Sequence, residues 1–280
     1  MVGFVVHAPS KPLVTTPFSL SVILPTLNEG SNLEYLVPEI NQVLRKYFVN
    51  DYEIIVVDDG SSDETHNIVN DLISRNNNIS LIIRKENNSL PNSIWEGIES
   101  STKSHVAWLD ADGSMDSLSL EKLILNQVKD TKKVFIGSRF VEGGGYKGQS
   151  EGGDKRIKKT IFNVLNSEDS LLAIYLSVIF NRFLKIIINV DVFDLTSGFI
   201  IGQKQYFKKN IFIQSNYGEY FILLVVDILK NNIQISEVGY FCKTRNFGES
   251  KTSTNIFRLL GLSRPYIRMA FKARKHLKAQ

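Results

Sequence analysis

Ser19 to Leu24 is a run dominated by apolar and β-branched residues, closed by Pro25. Such a run predicts a strand buried on both faces. Leu33, Leu36, Val37, Ile40 and Leu44 then recur at helical spacing. Ser31 and Glu34 stand in the order of a capping box, and Pro38 inside the pattern predicts a kink or a late start. The alternation repeats. Glu53–Val57 reads as a strand ending in Asp58 and Asp59, and Ile68, Val69, Leu72 and Ile73 mark a helix. Ile79–Ile83 is a third strand, followed by a short helix carrying Ile94, Trp95 and Ile98. His105–Leu109 is a fourth strand, ending in Asp110. Strand and helix alternating at this interval predict an α/β fold, a parallel sheet with helices on both faces.

Beyond this the pattern changes. Val134–Phe140 reads as a strand, and residues 142–155 are rich enough in glycine to predict a mobile loop. An amphipathic helical stretch runs to about residue 189. Phe199–Phe207 and Ile233–Phe241 read as strands with a helix near 218–230 between them, and the last thirty residues are basic and amphipathic.

Composition narrows the class. With 280 residues and 43% hydrophobic residues, the chain can bury a core without staples. Its single cysteine, Cys242, forms no internal disulfide, and no Cys/His cluster suggests zinc. A net charge of +4 without a dense basic stripe argues against a nucleic-acid partner. The basic excess lies late, in Arg258, Arg264, Arg268, Lys272, Arg274, Lys275 and Lys278, with no Asp or Glu after Glu249, which suggests an anionic partner there. The N-terminus lacks signal-peptide features. No apolar stretch reaches the ~20 residues that span a bilayer. Leu171 to Val190 comes nearest but is broken by Asn181, Arg182 and Lys185, so it reads as interfacial.

In open α/β sheets, ligands bind beyond the carboxyl ends of the strands. Three predicted strands end there in polar groups: Pro25-Thr26-Leu27-Asn28-Glu29, Asp58-Asp59-Gly60-Ser61-Ser62-Asp63 and Asp110-Ala111-Asp112. Two carboxylates one residue apart at a strand end can present oxygens to one hard cation, and Mg²⁺ or Mn²⁺ would also hold a diphosphate. An isolated Asp-x-Asp is more often a solvated acidic turn; the two other acidic strand ends favour a site. Ser61, Ser62 or Asp63 also suits a helix cap. No G-x-x-x-x-G-K loop and no G-x-G-x-x-G follows a strand, which excludes a Walker-type nucleotidase and argues against a dinucleotide oxidoreductase.

Six stretches in order carry a resemblance: Leu24–Glu29, Val56–Asp63, Leu109–Asp112, Gly137-Ser138-Arg139-Phe140, Asp194–Phe199 and Arg245–Lys251. With them the chain resembles the family 2 glycosyltransferases of the GT-A fold, most nearly the dolichol-phosphate mannose synthase and polyprenyl-phosphate sugar transferase group. The resemblance implies a Rossmann-like, mixed but mainly parallel sheet flanked by helices, with amphipathic interfacial helices. It implies a catalytic domain over residues 1–252, with an acceptor loop and amphipathic helix at 142–190, and a basic amphipathic segment over 253–280. Pro25, Leu27, Glu29, Val57, Asp58 and Asp59 are implied to form the nucleoside pocket. Asp110 and Asp112, with Ala111 between them, are implied to hold the metal and diphosphate. Arg139, Arg245 and Lys251 are implied to bind phosphates, a task that suits the planar fork of arginine. Asp112, Arg139 and Arg245 would be catalytic, and Arg182 and Ser197 would meet the acceptor. Without the resemblance, an exposed basic loop is the favoured reading of Arg245 and Lys251, and a capped turn fits Asp194 and Ser197.

The implied partners are GDP-mannose or UDP-glucose, a dolichyl or polyprenyl phosphate, and a membrane surface, with the protein peripheral on the cytoplasmic face. An inverting transfer to a sugar hydroxyl needs a general base. A phosphate monoester does not, because its second pKa of about 6 already leaves it anionic. Glu219, in Tyr217-Gly218-Glu219-Tyr220, is the candidate base for the competing reading, a glycan or other hydroxyl acceptor. It is also the kind of acid that a helix start favours. A third reading is a nucleotide-sugar-binding protein without catalysis, which the intact acidic pair disfavours. The chain departs from the mannose synthase pattern at Ser114-Met115-Asp116, where relatives carry Gln and then prolines, so the donor sugar and any third ligand stay open.

Overall fold

A computed structural model describes residues 16–146, 168–243 and 256–279. Leu20–Thr26 (β1), Tyr52–Asp58 (β2), Ile79–Ile83 (β3) and His105–Trp108 (β4) pair side by side and in parallel in the order β3-β2-β1-β4. Val134–Ser138 (β5), Gly145–Tyr146 (β6), Ile200–Gln203 (β7), Ile235–Gly239 (β8) and Phe241–Cys242 (β9) follow. The main sheet continues β4-β7-β5-β8, with β7 antiparallel to both its neighbours. The short β6 and β9 pair in parallel as a separate ribbon. The expected sheet is therefore mixed and mainly parallel, with a single reversed strand among the seven.

Alternation along the strands sorts the core into two layers. Val22, Leu24, Ile54, Val56 and Ala107 face one layer, while Ile23, Ile55, Val57, Val106 and Trp108 face the other. Successive side chains of a strand point to opposite faces, so an unbroken apolar run fits a sheet covered on both sides. Gly30–Tyr47 (α1), Thr65–Arg75 (α2) and Ser117–Lys129 (α4) cover the first face. Leu90–Ser100 (α3), Glu168–Ile188 (α5), Lys209–Phe212 (α6), Tyr220–Lys230 (α7) and Ile256–Lys278 (α8) cover the second.

Several boundaries differ from the sequence reading. β1 runs through Pro25 to Thr26. Its pairing with β4 stops at Ile23, so the ladder on that side loses no donor at the proline. Helix α1 starts at Gly30 with Glu29 before it, so Ser31 lies inside the first turn and no capping box forms. Pro38 sits within α1 rather than delaying it, on the exposed side where water reaches the carbonyl it leaves unpaired. Ile200–Gln203 is shorter than the expected strand and turns into a 3-10 helix at Lys204–Tyr206. Of the glycine-rich stretch, Gly145 is paired in β6, and 147–167 lie outside the described residues.

Every residue of α7 from Tyr220 to Ile228 is buried, as expected of a helix apolar all round. Helix α8 provides the cover, with Met269, Ala270 and Ala273 inside the second core layer. Arg274 donates to the Ile187 carbonyl at 2.7 Å, and His276 Nε2 lies 3.2 Å from Asp227 Oδ1. The apolar face of α8 is thus part of the domain, and Arg264, Arg268, Lys272, Lys275 and Lys278 are left outside. Among the described residues, no helix is long and apolar enough to cross a membrane.

Candidate active site

The carboxyl ends of β1, β2, β4, β5 and β8, and the start of the reversed β7, open on one edge of the sheet. That topology brings together residues 25–29, 58–63, 110–112, 139–140, 194–197 and 240–242. Asp110 and Asp112 follow β4, with buried Ala111 between them and Gly113 turning the chain at φ +76°. Asp112 is 5% exposed and accepts from the Ser114 amide at 2.9 Å. The Ser114 carbonyl accepts from the Lys243 amide at 2.9 Å, Met115 is buried, and Asp116 accepts from the Ser119 amide while pairing with Lys243 at 2.7 Å. Those two contacts hold the Asp116 carboxyl below the usual range against the opposing effect of burial. Asp116 therefore caps α4. No group of three or more metal-ligating side chains occurs among the described residues, and Asp110 and Asp112 stand as a pair at the end of β4. If that pair held Mg²⁺ or Mn²⁺, which favour oxygen ligands, water and diphosphate oxygens would have to complete the set. The Cys242 thiol, pushed up by burial, lies within reach of the Asp112 and Asp110 charges.

The loops after β1 and β2 are organised from within. Asp58 is fully buried and accepts from the amides of Gly60 and Ser61 at 3.0 Å each, from the Ser61 hydroxyl, and from His66 Nε2 at 2.7 Å. Burial raises its pKa, but the bonds from Ser61, His66 and Gly60 outweigh that and leave it below the ordinary value. Asp59 pairs instead with Arg84, which also donates to Glu96 at 2.8 Å, to Ser93 at 3.1 Å and to the Asn87 carbonyl at 3.0 Å. Asp63 caps α2 through the Thr65 amide at 3.0 Å. Pro25 and Val57 are buried strand partners, Leu27 is 40% exposed, and Glu29 accepts from Asn32 at 2.7 Å. Arg84 and His66 escaped the sequence reading. Arg84 directly follows the apolar run of β3, so the polar residue at the third strand's end was the available signal.

Arg139 is committed to a partner. Its amide and Nε donate to Asp194 Oδ2 at 3.0 and 2.8 Å, and Nη2 donates to Asp194 Oδ1 at 2.7 Å and to Thr196 Oγ1 at 2.8 Å. Burial opposes its charge, but the fully buried Asp194 holds its pKa well above the usual value. The guanidinium also lies 5.2 Å from the Phe140 ring centroid and 5.7 Å from that of Tyr146. Ser197 turns inward, is 5% exposed, donates to the Gly137 carbonyl at 2.5 Å and accepts from the Phe199 amide. Beside this turn lies a mainly apolar cavity of about 530 Å³, lined by Phe140, Val178, Asn181, Arg182, Lys185, Ile186 and Phe193. Lys185 is held by Asp191 at 2.7 Å, whereas Arg182 is exposed and makes no ion pair among the described residues. Asn181 ties the cavity wall to the turn through Thr196 and the Leu195 amide, both at 2.9 Å. Arg245 and Lys251 lie outside the described residues.

Glu219 precedes α7, is 7% exposed and accepts from the Asn216 amide at 3.1 Å through Oε1, while its buried Oε2 has no hydrogen-bond partner among the described residues. Tyr266 of α8 packs its hydroxyl on Gly218, where an added Cβ would lie 2.5 Å away. Burial first, then the charges of Tyr217, Glu219 and Asp110, keep the Tyr266 hydroxyl protonated.

The fold has solved counterparts. Glucosyl-3-phosphoglycerate synthase from Mycobacterium tuberculosis, solved with Mn²⁺, UDP and phosphoglyceric acid, superposes with a TM-score of 0.60 at 16% identity, covering 92% of this chain and 79% of that one. The fold is therefore that of the GT-A glycosyltransferases. A dolichol-phosphate mannosyltransferase of Pyrococcus furiosus is 34% identical over 125 residues, 45% of this chain and 34% of that protein. A dolichyl-phosphate beta-glucosyltransferase of Dictyostelium discoideum is 30% identical over 129 residues, 43% of this chain and 39% of that protein. The matched stretches thus span little more than a third of either relative. The family model for glycosyl transferase family 2 matches residues 21–211, which takes in the acidic strand ends, Arg139, the cavity and the Asp194 turn, and the chain belongs to that family.

Proposed function

We propose that this protein transfers mannose or glucose, with inversion, from GDP-mannose or UDP-glucose to dolichyl or polyprenyl phosphate. The observation that carries the proposal is an acidic strand edge set beside an apolar cavity with a cation at its wall, Arg182. An isoprenoid phosphate has the matching chemistry, an apolar chain ending in an anion. The names of the two dolichyl-phosphate sugar transferases add to it.

Asp58, Asp59 and the chain from Pro25 to Glu29 would form the nucleoside pocket, and Asp110 and Asp112 would face the diphosphate. Mg²⁺ or Mn²⁺ held there would offset the charge on the leaving nucleoside diphosphate. Arg182, Arg245 and Lys251 would draw the acceptor phosphate toward the anionic donor. Arg139, fixed by Asp194, would keep the 194–197 turn and positive charge at the edge. The acceptor phosphate attacks as an anion, so no protein base is required. Tyr175, Ile179, Phe183 and Ile186 form an exposed stripe on α5, which suits the boundary of a lipid bilayer. The exposed cations of α8 suit anionic headgroups.

A second reading has one observation in its favour. Glu219 Oε2 has no hydrogen-bond partner among the described residues and would act as the base if a hydroxyl acceptor reached that buried oxygen. Incubating labelled GDP-mannose and UDP-glucose with polyprenyl phosphate, with and without Mg²⁺ or Mn²⁺, separates the two. A labelled, lipid-extractable product that persists in Glu219→Gln supports the phosphate acceptor. Transfer only to hydroxyl acceptors, lost by orders of magnitude in Glu219→Gln, supports the second.

A further inference from the structure

We infer that His66 is a positioning residue for the sugar-donor pocket, holding the loop after β2 against the loop after β1 in the shape that receives the nucleoside. The inference rests on the reading of residues 25–29 and 57–59 as that pocket. His66 stands on the first turn of α2 and meets Asp58 Oδ2 at 2.7 Å. Asp58 accepts from the Ser61 hydroxyl, which itself accepts from the Asn28 amide at 2.7 Å. Asn28 closes the circuit by accepting from the Ser62 amide at 2.8 Å. One chain of hydrogen bonds therefore runs from His66 through Asp58 and Ser61 to Asn28, and it joins the two loops together with the Asp59 amide's bond to the Thr26 carbonyl at 2.9 Å and the Gly30 amide's bond to Asp63.

Both loops need that hold. Asn28 sits at φ +57°, a left-handed position that costs a non-glycine residue, while Gly60 takes φ +89° freely because it has no Cβ, so the loop after β2 depends on its bonds to keep one shape. Leu27, 40% exposed, is displayed between the two buried strand ends by the Asn28 turn. A change at Asn28 would re-aim it.

Helix capping does not account for His66. The start of α2 is served by Asp63, which takes the Thr65 amide and hydroxyl and reaches across to the Gly30 amide at 3.3 Å. Asp58 is fully buried, whereas the His66 side chain is 34% exposed. His66 is therefore the solvent-accessible end of a buried chain, and it can be replaced without opening a core cavity. Its Nε2 donates one directed bond, which a glutamine amide can reproduce and an alanine cannot.

The test uses the whole chain. Binding of UDP and of GDP with Mn²⁺ is measured by calorimetry, and transfer kinetics are measured for wild type, His66→Ala, His66→Gln and Asp58→Asn. The expected result is an approximately tenfold weaker nucleotide and a matching rise in donor KM for His66→Ala, with kcat at saturating donor retained, since a bond to a charged group is typically worth that much. His66→Gln should recover most of the affinity. Wild-type affinity in His66→Ala with weakened binding in Asp58→Asn overturns the role of His66 but keeps the pocket. Unchanged binding in both variants overturns the pocket as well. A loss of thermal stability and kcat in His66→Ala at unchanged donor KM makes the residue merely structural and also overturns the inference.

Discussion

Replacing Asp194 with alanine should destabilise the protein far more than any nearby substitution of similar size. Asp194 is fully buried and receives the amide, Nε and Nη2 of Arg139. The Arg139 side chain is 14% exposed, so removing Asp194 leaves a guanidinium largely out of water with two of its donors, and the Arg139 amide as a third, short of their acceptor. Breaking a buried pair from one side costs about 3–5 kcal/mol. At roughly 2–4 °C per kcal/mol for a domain of this class, the melting temperature should fall by on the order of 10 °C. Thr196→Ala removes one neutral partner of the same guanidinium and should cost about 1 kcal/mol. The double variant Arg139→Met, Asp194→Leu should recover part of the loss, because an apolar pair needs no compensation. Thermal and urea unfolding of the four proteins decides it. A fall of under about 2 °C for Asp194→Ala would show that Arg139 does not depend on this partner.

Gly218→Ala places a methyl 2.5 Å from the Tyr266 hydroxyl and should cost about 1–3 kcal/mol by overpacking. In a Tyr266→Phe background the nearest ring atom is 3.5 Å away, so the cost should shrink; strictly additive effects would refute the contact. His105, buried against Phe18 with its ring centroid 4.4 Å away, has its pKa lowered by burial. Its folded value lies below the unfolded value of about 6.5, so the stability it contributes is present above that pH and drains away as pH falls below it. Urea midpoints at pH 7.5 and 5.5 should therefore differ more in wild type than in His105→Gln, and equal differences would contradict the assignment.

The parallel half of the fold was legible because its strands are short apolar runs that end in polar groups. β1, β2 and β4 each carry acidic or amide side chains at the carboxyl end, and their alternation with helices dictates a parallel sheet. The direction of β7 was not legible. Ile200–Gln203 looks locally like any buried strand, and only pairing with β4 and β5 reverses it. Arg139 read as a free cation because its partner lies 55 residues away, and no local pattern joins the two. The resemblance implied that Asp58 and Asp59 both line the nucleoside pocket, and the sequence did not show that one is held by its own turn and the other pairs with Arg84. The basic residues of α8 suggested an anionic partner, and they say nothing of its other face, whose small apolar residues Ala270 and Ala273 let it close over α7.

The acidic pair after β4 is where the account stands or falls. The most direct measurement compares wild type and Asp112→Asn for Mn²⁺-dependent binding of UDP and GDP and for sugar transfer in the same preparation, with melting temperature as the check on folding. The account predicts a folded variant in which Mn²⁺ no longer strengthens nucleotide binding and transfer falls by at least about a hundredfold, the scale of losing one element of charge stabilisation at the leaving group. A folded Asp112→Asn protein with wild-type transfer and unchanged Mn²⁺-dependent binding would contradict it.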